Sequence, residues 1–267
     1  MKDVALRQRR RLGGSHTLSA AAAACVGLLA ASNLFAAESA PGNLSGIWWA
    51  NSYSPSMKTY LVGGGEIPLN DAGKKKYAEN QQGLKDGSLV DWARKYCTPD
   101  GLPRALSTPY PFQIIAEPAG QMSLIYEQNT MIRGVSMVKP LDSLEKLSIL
   151  PFWNGHSAGH WEGDTLVIQS GGFNERTFAD ATGLPHSDEL MTTERVRKIN
   201  GGKQLEDVIT IHDPVYYVRD WQARFVYDNH EGMRMMEYVC GQPHRDISHI
   251  KGVNEARAAN RARTPAK

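Results

Sequence analysis

The sequence predicts an all-β protein, an antiparallel barrel or sandwich, with one or two short peripheral helices. From Phe112 onward, strand-like runs of roughly five to eight residues alternate with turns, and no helical pattern separates them. Short strands without intervening helices are typical of antiparallel architectures rather than of a parallel α/β sheet. The chain has 267 residues, and β barrels and sandwiches of this size commonly form one domain.

The beginning of the chain has the order of a secretory signal peptide, predicted to span residues 1–37. A basic start is followed by an apolar, alanine-rich run at Leu18–Ala31 and by a small-residue cleavage point near Ala37. The apolar run is shorter than the ~20 residues that a membrane helix needs. The mature protein is therefore expected to be periplasmic or secreted, without an integral membrane segment.

The charge balance argues against nucleic acid as a partner. Residues 1–37 contain five basic residues and one acidic residue, so their removal changes the balance from 30 basic and 28 acidic residues to 25 and 27. A slightly acidic chain lacks the electrostatic attraction that nucleic acids and anionic membranes require. Residues 38–253 are expected to form a single β domain, and residues 254–267 a flexible basic tail.

Two cysteines remain after the leader, Cys97 and Cys240. A secreted protein enters an oxidising compartment, in which cysteines commonly form disulfides. The sequence therefore favours a bridge between the two; the alternative is a pair of buried free thiols.

The secondary-structure elements can be assigned in chain order. Residues 43–50 contain a glycine followed by an aromatic strand, and residues 70–82 form a polar helix that Asn70 or Asp71 caps and Gly83 ends. The later strands are predicted at Phe112–Ala116, Met122–Glu127, Thr130–Val138, Leu166–Gln169, Met191–Ile199, Leu205–His212, Gln222–Tyr227 and Met233–Val239.

One predicted hairpin places a carboxylate on the inner face of the sheet. A turn at residues 200–203 pairs Arg197 with Glu206 and Thr193 with Thr210 on one face. The opposite face then carries Thr192, Glu194 and Val196 against Ile211, Ile209 and Asp207. If the isoleucines point into the core, Glu194 does so as well.

An inward carboxylate is costly unless it is paired, hydrogen-bonded or protonated, and this makes Glu194 a functional candidate. The alternatives are a structural ion pair with Arg133 or Arg195, or a position near the barrel mouth that water reaches.

The loop before this strand supplies a histidine and further carboxylates. We predict that His186 and Glu194 act as acid and base, with Asp180 or Asp188 orienting the imidazole, because a histidine beside carboxylates moves protons near neutral pH. The alternative is a surface loop in which His186 and Ser187 only cap turns.

Two further motifs have competing interpretations. Residues 155–159 match the Gly-x-Ser-x-Gly of serine hydrolases, but no strand-to-helix turn surrounds Ser157, so a glycine-rich loop is favoured. His156, His160 and His186 form a possible three-histidine metal site, but the spacing lacks the close ligand pairs of a secure zinc motif. We therefore expect no metal and no cofactor.

Two resemblances add to this interpretation. Gly46-Ile47-Trp48 is similar to the Gly-x-Trp with which lipocalin-like barrels begin, where the indole closes one end of the barrel. The chain also resembles a large group of secreted bacterial proteins, a resemblance that implies no particular reaction. It rests on Cys97-x-Pro99-x-Gly101-x-Pro103, Gly155-x-Ser157-x-Gly159-x-Trp161-Glu162-Gly163-Asp164-Thr165-Leu166-Val167, Gly172-Phe173-Asn174, Pro185-His186-Ser187, Glu194-Arg195 and Asp213-Pro214.

Together these features predict a lipocalin-like barrel around an amphipathic pocket for a hydrophobic or aromatic small molecule. The pocket residues are expected to be Trp153, Trp161, Phe173, Phe178, His156, Ser157 and Ser187. The first functional hypothesis is a cofactor-independent lyase, isomerase or hydrolase. The second is a periplasmic carrier that does not convert its ligand, and the third is a structural envelope protein without a pocket.

Overall fold

The computed structural model describes residues 42–117, 120–142, 151–238 and 240, and it confirms the predicted β barrel. The predicted leader, residues 1–37, and the predicted tail, residues 254–267, lie outside this part of the chain. The strands and helices are β1 (Gly46–Ala50), α1 (Asp71–Asp86), α2 (Trp92–Tyr96), β2 (Phe112–Glu117), β3 (Gln121–Tyr126), β4 (Met131–Ser136), β5 (His156–Glu162), β6 (Thr165–Gly171), β7 (Met191–Ile199), β8 (Gln204–His212) and β9 (Trp221–Asn229).

The nine strands form a closed ring in sequence order, with β1 pairing with both β2 and β9. A closed ring of nine strands cannot be antiparallel throughout, because each antiparallel pair reverses direction and the ring must return to its starting direction. The parallel pair is β4–β5, aligned at Val135 with Ser157 and at Ser136 with Ala158. The barrel is therefore mixed, whereas the sequence predicted an antiparallel one.

The predicted β7–β8 hairpin forms with the predicted register. Arg197 lies opposite Glu206 and Thr193 opposite Thr210, while Glu194 lies opposite Ile209. Ile209 is fully buried, and so is Glu194. The period-2 alternation of a strand thus placed this carboxylate inside the barrel, as the sequence indicated.

Side chains of alternating strand residues fill the barrel. Apolar groups from every strand except β5 meet there, and large buried members of this core are Trp48, Ile114, Leu124, Val135, Leu166, Ile168, Val196, Leu205, Ile209 and Phe225. This arrangement differs from a hollow ligand-binding barrel, because the middle of the interior is occupied by protein side chains.

The two ends of the barrel are built differently. At the lower end, where β1 begins, short connections join β2 to β3, β5 to β6 and β7 to β8. At the upper end lie the long connections, residues 51–111, 172–190 and 213–220. Trp48 is buried near the lower end, and its indole N–H donates to the Leu44 carbonyl at 3.0 Å, compatible with the closing indole of lipocalin-like barrels.

Helix α1 lies at the upper end and is longer than predicted. Asn70 caps its start by accepting a hydrogen bond from the Gly73 N–H at 2.8 Å, and Gly87, in the left-handed conformation, ends it. Gly83 does not end the helix. It permits close packing, because a Cβ there would lie 2.6 Å from the Cβ of Leu89.

Strand β5 was not predicted, because its glycines and histidines favoured a loop. In the structure, Gly159 lies where β4 approaches closely: a Cβ at this position would be 2.9 Å from Val135 Cγ1 and 3.0 Å from Met137 Sδ. The glycine that weakens the local strand signal is thus the residue that permits this packing.

The predicted strand Met233–Val239 is wrong for the residues that the structure describes, since residues 231–238 form no strand. β9 already pairs with β8 and β1, so it offers no free edge to a further strand. Instead this segment passes from Ile47 to Glu127: the His230 N–H donates to the Ile47 carbonyl and the Met236 N–H to the Glu127 carboxylate.

The predicted disulfide joins Cys97 to Cys240, with the Cα atoms 5.7 Å apart and a sequence separation of 143. Cys97 ends α2, so the bridge fastens the C-terminal segment to the upper end. Disulfides are typical of proteins that leave the reducing cytosol. Among the described residues, no helix is long and apolar enough to cross a membrane.

We expect the double substitution Cys97→Ser/Cys240→Ser to lower the free energy of unfolding by about 4–5 kcal/mol, because a bridge of this span restricts the unfolded chain strongly. Urea unfolding followed by tryptophan fluorescence measures the change. Reductant should destabilise the wild type by a similar amount and leave the double variant unaffected. Equal stabilities of the oxidised wild type and the variant would contradict the expectation.

Candidate functional site

An ion pair between Arg133 of β4 and Glu194 of β7 lies in the middle of the barrel. The Arg133 Nη1–H donates to Glu194 Oε1 at 3.0 Å, and Nη2 contacts Oε2. The guanidinium also donates to the hydroxyls of Ser157, at 2.9 Å, and Ser170, at 2.8 Å. The charges are therefore both paired and hydrogen-bonded, which a buried ion pair requires.

Asp207 of β8 is a second carboxyl group beside this pair. Burial, followed by the negative charge of Glu194, raises the pKa of Asp207 well above its usual range. Although burial alone would lower the pKa of Arg133, the Glu194 carboxylate raises it. The protonated form of Asp207 is therefore favoured beside the Arg133–Glu194 pair.

The position of Glu194 thus agrees with the prediction, and its partner is one of the two arginines that the sequence left open. Arg195 is instead paired with Glu162 on the outside of the barrel, at 2.8 Å. Because both Glu194 oxygens face Arg133, this contact accounts for the burial of the carboxylate without any substrate.

His186 lies in the connection between β6 and β7 at the upper end, where it is buried. Its Nδ1 lies 3.0 Å from the Ser187 carbonyl and its Nε2 lies 2.6 Å from the Thr177 hydroxyl. Because a carbonyl only accepts, Nδ1 carries the hydrogen and Nε2 accepts from Thr177. Burial lowers the pKa of His186. Its ring nitrogens form hydrogen bonds with Thr177 and Ser187 rather than with Glu194.

Neither of the aspartates predicted to orient His186 is one of its hydrogen-bond partners among the described residues. Asp180 is fully buried and accepts from the backbone N–H groups of Met57, Thr182 and Leu184 at 2.8–3.1 Å. The Asp188 side chain is exposed. A carboxylate that does contact the His186–Ser187 segment is that of Asp213, which accepts from the Ser187 N–H and hydroxyl.

Strand β5 carries the predicted residues His156, Ser157 and Trp161. Ser157 points inward to Arg133 and Ser170. His156 packs edge-on against Phe152, with the ring centroids 4.9 Å apart. In the part of the chain that the structure describes, no group of three or more His, Cys, Asp or Glu side chains is placed to hold a metal ion.

Three of the four predicted aromatic wall residues lie at the upper end of the barrel, and the fourth, Trp161, lies at the lower end. Phe173 lies near His186 with ring centroids 6.5 Å apart, and Trp153 lies 6.1 Å from Trp92, all at the upper end. Phe178 is buried in the same connection as His186. Trp161 alone of the four lines a cavity at the lower end.

This cavity at the lower end, which we call the mouth cavity, has a volume of about 650 Å³. That volume lies within the ~300–1,000 Å³ range of small-molecule sites. Its apolar wall consists of Leu44, Ala116, Met122, Met137 and Trp161, and its polar groups come from Asn43, Ser45, Gln121 and His160, with Gly42 and Gly120 completing it. The Trp161 indole lies against the backbone of Gly42, where a Cβ would be only 3.2 Å from the ring.

The polar side of the mouth cavity is held by an outer ion-pair network. His160 Nε2 lies 3.2 Å from Glu162 Oε1, and Glu162 also binds Arg195. Hydrogen bonds, first from Arg195 and then from His160, lower the pKa of Glu162. The imidazole is thereby held at the rim while half of its side chain remains exposed.

Sequence reasoning missed Asp207 and the methionines Met122 and Met137. Asp207 lay on the predicted inner face of the hairpin, and that placement was the available signal. Nothing in the sequence linked the methionines to Trp161, because the three residues come from distant parts of the chain that only the closed barrel brings together.

No protein-family profile matches the chain, and neither a curated protein nor a solved structure is significantly similar to it. The resemblance to lipocalin-like proteins therefore rests on the barrel architecture, and the functional argument rests on the geometry of this chain.

We expect Arg133→Met and Glu194→Leu each to lower the free energy of unfolding by about 3–5 kcal/mol, because each leaves one charge buried without its partner. The double variant should lose less than the sum, since it buries no orphan charge. Urea unfolding of all four proteins completes the cycle. The exposed pair Lys58–Glu66, treated in the same way, should show a coupling of about 0–1 kcal/mol.

The lowered pKa of His186 predicts a pH-dependent contribution to stability. The folded protein disfavours the proton that the unfolded chain accepts, so this contribution is complete above pH ~6.5 and declines as the pH falls below that value. The difference in unfolding free energy between the wild type and His186→Gln should therefore shrink from pH 7.5 to pH 5, measured by urea titration. His212→Gln, at an exposed histidine, is the control; a pH-independent difference for His186→Gln would contradict the expectation.

Proposed function

We propose that the protein binds a hydrophobic or aromatic small molecule in the mouth cavity and carries it without chemical conversion. The observation that supports this is the mouth cavity itself, an apolar space of about 650 Å³ beside Trp161 with a few polar groups at its rim. Small-molecule sites commonly combine an apolar wall with a small number of polar groups that orient the ligand.

The chemistry of the wall favours a flat, uncharged ligand. Trp161 offers a partly exposed ring, and Met122 and Met137 provide flexible, polarisable side chains that adapt to ligand shape. Gln121 and His160 at the rim are hydrogen-bonding partners for a hydroxyl or carbonyl group.

The enzymatic alternative, with His186 and Glu194 as acid and base, stays a prediction. It requires both groups to reach a common substrate atom, but the Glu194 oxygens contact Arg133 and the His186 nitrogens contact Thr177 and Ser187. Neither residue lines the mouth cavity. The carrier hypothesis requires only the cavity, and we prefer it for that reason.

A periplasmic location belongs to the same proposal. The Cys97–Cys240 disulfide is compatible with an oxidising compartment, and a carrier in that compartment would move poorly soluble molecules through an aqueous space.

We expect the uncharged fluorescent probe N-phenyl-1-naphthylamine to bind the wild type with increased emission, and Trp161→Ala to bind it roughly 10- to 100-fold more weakly. This magnitude follows from the loss of about 1.5–3 kcal/mol of apolar contact. Ala116→Phe, which fills the cavity, should also reduce binding. Fluorescence titration gives the dissociation constants.

The matched control is Trp92→Ala at the upper end, because Trp92 is 38% exposed and Trp161 is 37% exposed. It should leave probe affinity unchanged, and thermal melts should confirm that all variants are folded. Unchanged binding by folded Trp161→Ala and Ala116→Phe would rule out the mouth cavity as the site.

A further inference from the structure

A second cavity, of about 710 Å³, lies at the upper end between the end of α1, the start of α2 and Ala181–Thr182. A narrower space of about 260 Å³ adjoins it. Arg94 and Ala181 line both spaces, which together we call the upper cleft. The upper cleft is separate from the mouth cavity, which lies at the other end of the barrel.

The charged side chains that line the upper cleft are mostly basic. Lys85, Arg94 and Lys95 line the wider space, and Arg104 lines the narrower one. The acidic lining residue is Asp91, and its carboxylate is engaged by Arg104 in two hydrogen bonds of 3.0 Å. Since the whole chain is nearly balanced, with 30 basic and 28 acidic residues, this concentration of positive charge is local.

Arg94 is the group best placed to meet an anion. Arg104 is buried between Asp91 and Asp100, its Nε lying 3.2 Å from Asp100 Oδ1, and its charge is therefore neutralised. The Arg94 side chain is 65% exposed, and its Nε lies 3.5 Å from Asp91 Oδ2. Within the described residues its Nη groups make no hydrogen bond, so two parallel donors remain for a carboxylate.

Tyrosine rings line the narrower space. Tyr53, Tyr110 and Tyr238 lie along it, and Tyr110 meets Tyr238 edge to face with the ring centroids 5.1 Å apart. Such walls accommodate a planar ring through stacked and edge-to-face contacts. Gln128 adds an amide to the same lining. An aromatic wall therefore adjoins a guanidinium whose side chain is largely exposed.

We propose that the upper cleft binds an aromatic carboxylate, with the carboxylate group on Arg94 and the ring among the tyrosines. Lys85 and Lys95 attract the anion to the entrance. This site is separate from the mouth cavity. It selects a negatively charged ligand, whereas the mouth cavity is proposed to select an uncharged one.

The probe pair 1-naphthoate and 1-naphthamide tests the proposal, because the two share a ring system and differ in charge. Isothermal titration calorimetry at 50 mM NaCl should show that naphthoate binds at least about tenfold more tightly than the amide. Arg94→Gln should weaken naphthoate binding by at least about tenfold, since a bidentate charge-assisted contact is lost, and should leave the affinity for the amide unchanged. Arg219→Gln, at an exposed arginine outside the upper cleft, is the matched control and should bind naphthoate as the wild type does.

Equal affinities for the acid and the amide, no detectable binding of naphthoate, or undiminished binding by folded Arg94→Gln would each overturn the proposal. Trp161→Ala separates the two sites. If Trp161→Ala loses naphthoate binding while Arg94→Gln retains it, naphthoate occupies the mouth cavity and the upper cleft is not an anion site. If Trp161→Ala loses only N-phenyl-1-naphthylamine binding, that result concerns the carrier proposal and leaves the proposal for the upper cleft intact.

Discussion

The pairing of Arg133 with Glu194 inside the barrel is the constraint on which the rest of the structure depends. Two charges in an apolar interior are tolerated only when they are matched and hydrogen-bonded, and Ser157 and Ser170 complete the guanidinium's partners. The cluster joins β4, β5, β6 and β7 across the interior and fills the space that a hollow barrel would offer to a ligand. The described cavities that support our proposals accordingly lie at the ends of the barrel.

The two ends differ because their connections differ. Short turns at the lower end leave an apolar opening beside Trp161, whereas the long upper connections pack on one another and are held by buried carboxylates. Asp180 and Asp213 bind backbone N–H groups of neighbouring loops. These carboxylates supply the hydrogen bonds that water would otherwise make with the buried backbone N–H groups of the upper connections. Positively charged side chains lie at the edge of these upper connections, where the Arg94 side chain of α2 is exposed.

The residues around His186 are compatible with both a catalytic and a structural role. A histidine among aspartates satisfies the chemical requirements of proton transfer, yet the same residue types also satisfy the hydrogen-bonding needs of a packed loop. In the structure, both ring nitrogens of His186 contact residues of the connection between β6 and β7, and burial disfavours its charged form, so the acid–base role stays a prediction. Strand periodicity correctly predicted that the Glu194 side chain lies inside the barrel. The sequence did not show whether Arg133 or Arg195 would pair with it.

Local alternation and turn chemistry determined most of the strands, the register of β7–β8 and the inward direction of Glu194, because each depends on one strand or one adjacent strand pair. The two cysteines outside the predicted leader likewise indicated their own bridge. Three features followed only from the closed ring of strands. One strand pair must be parallel, Gly159 lies in a strand, and residues 231–238 find no free strand edge with which to pair. Ring closure also brought Arg133 to Glu194 across 61 positions and set Trp161 beside Met122 and Met137. Contacts between distant segments depend on the direction and order of all nine strands, and no local pattern contains that information.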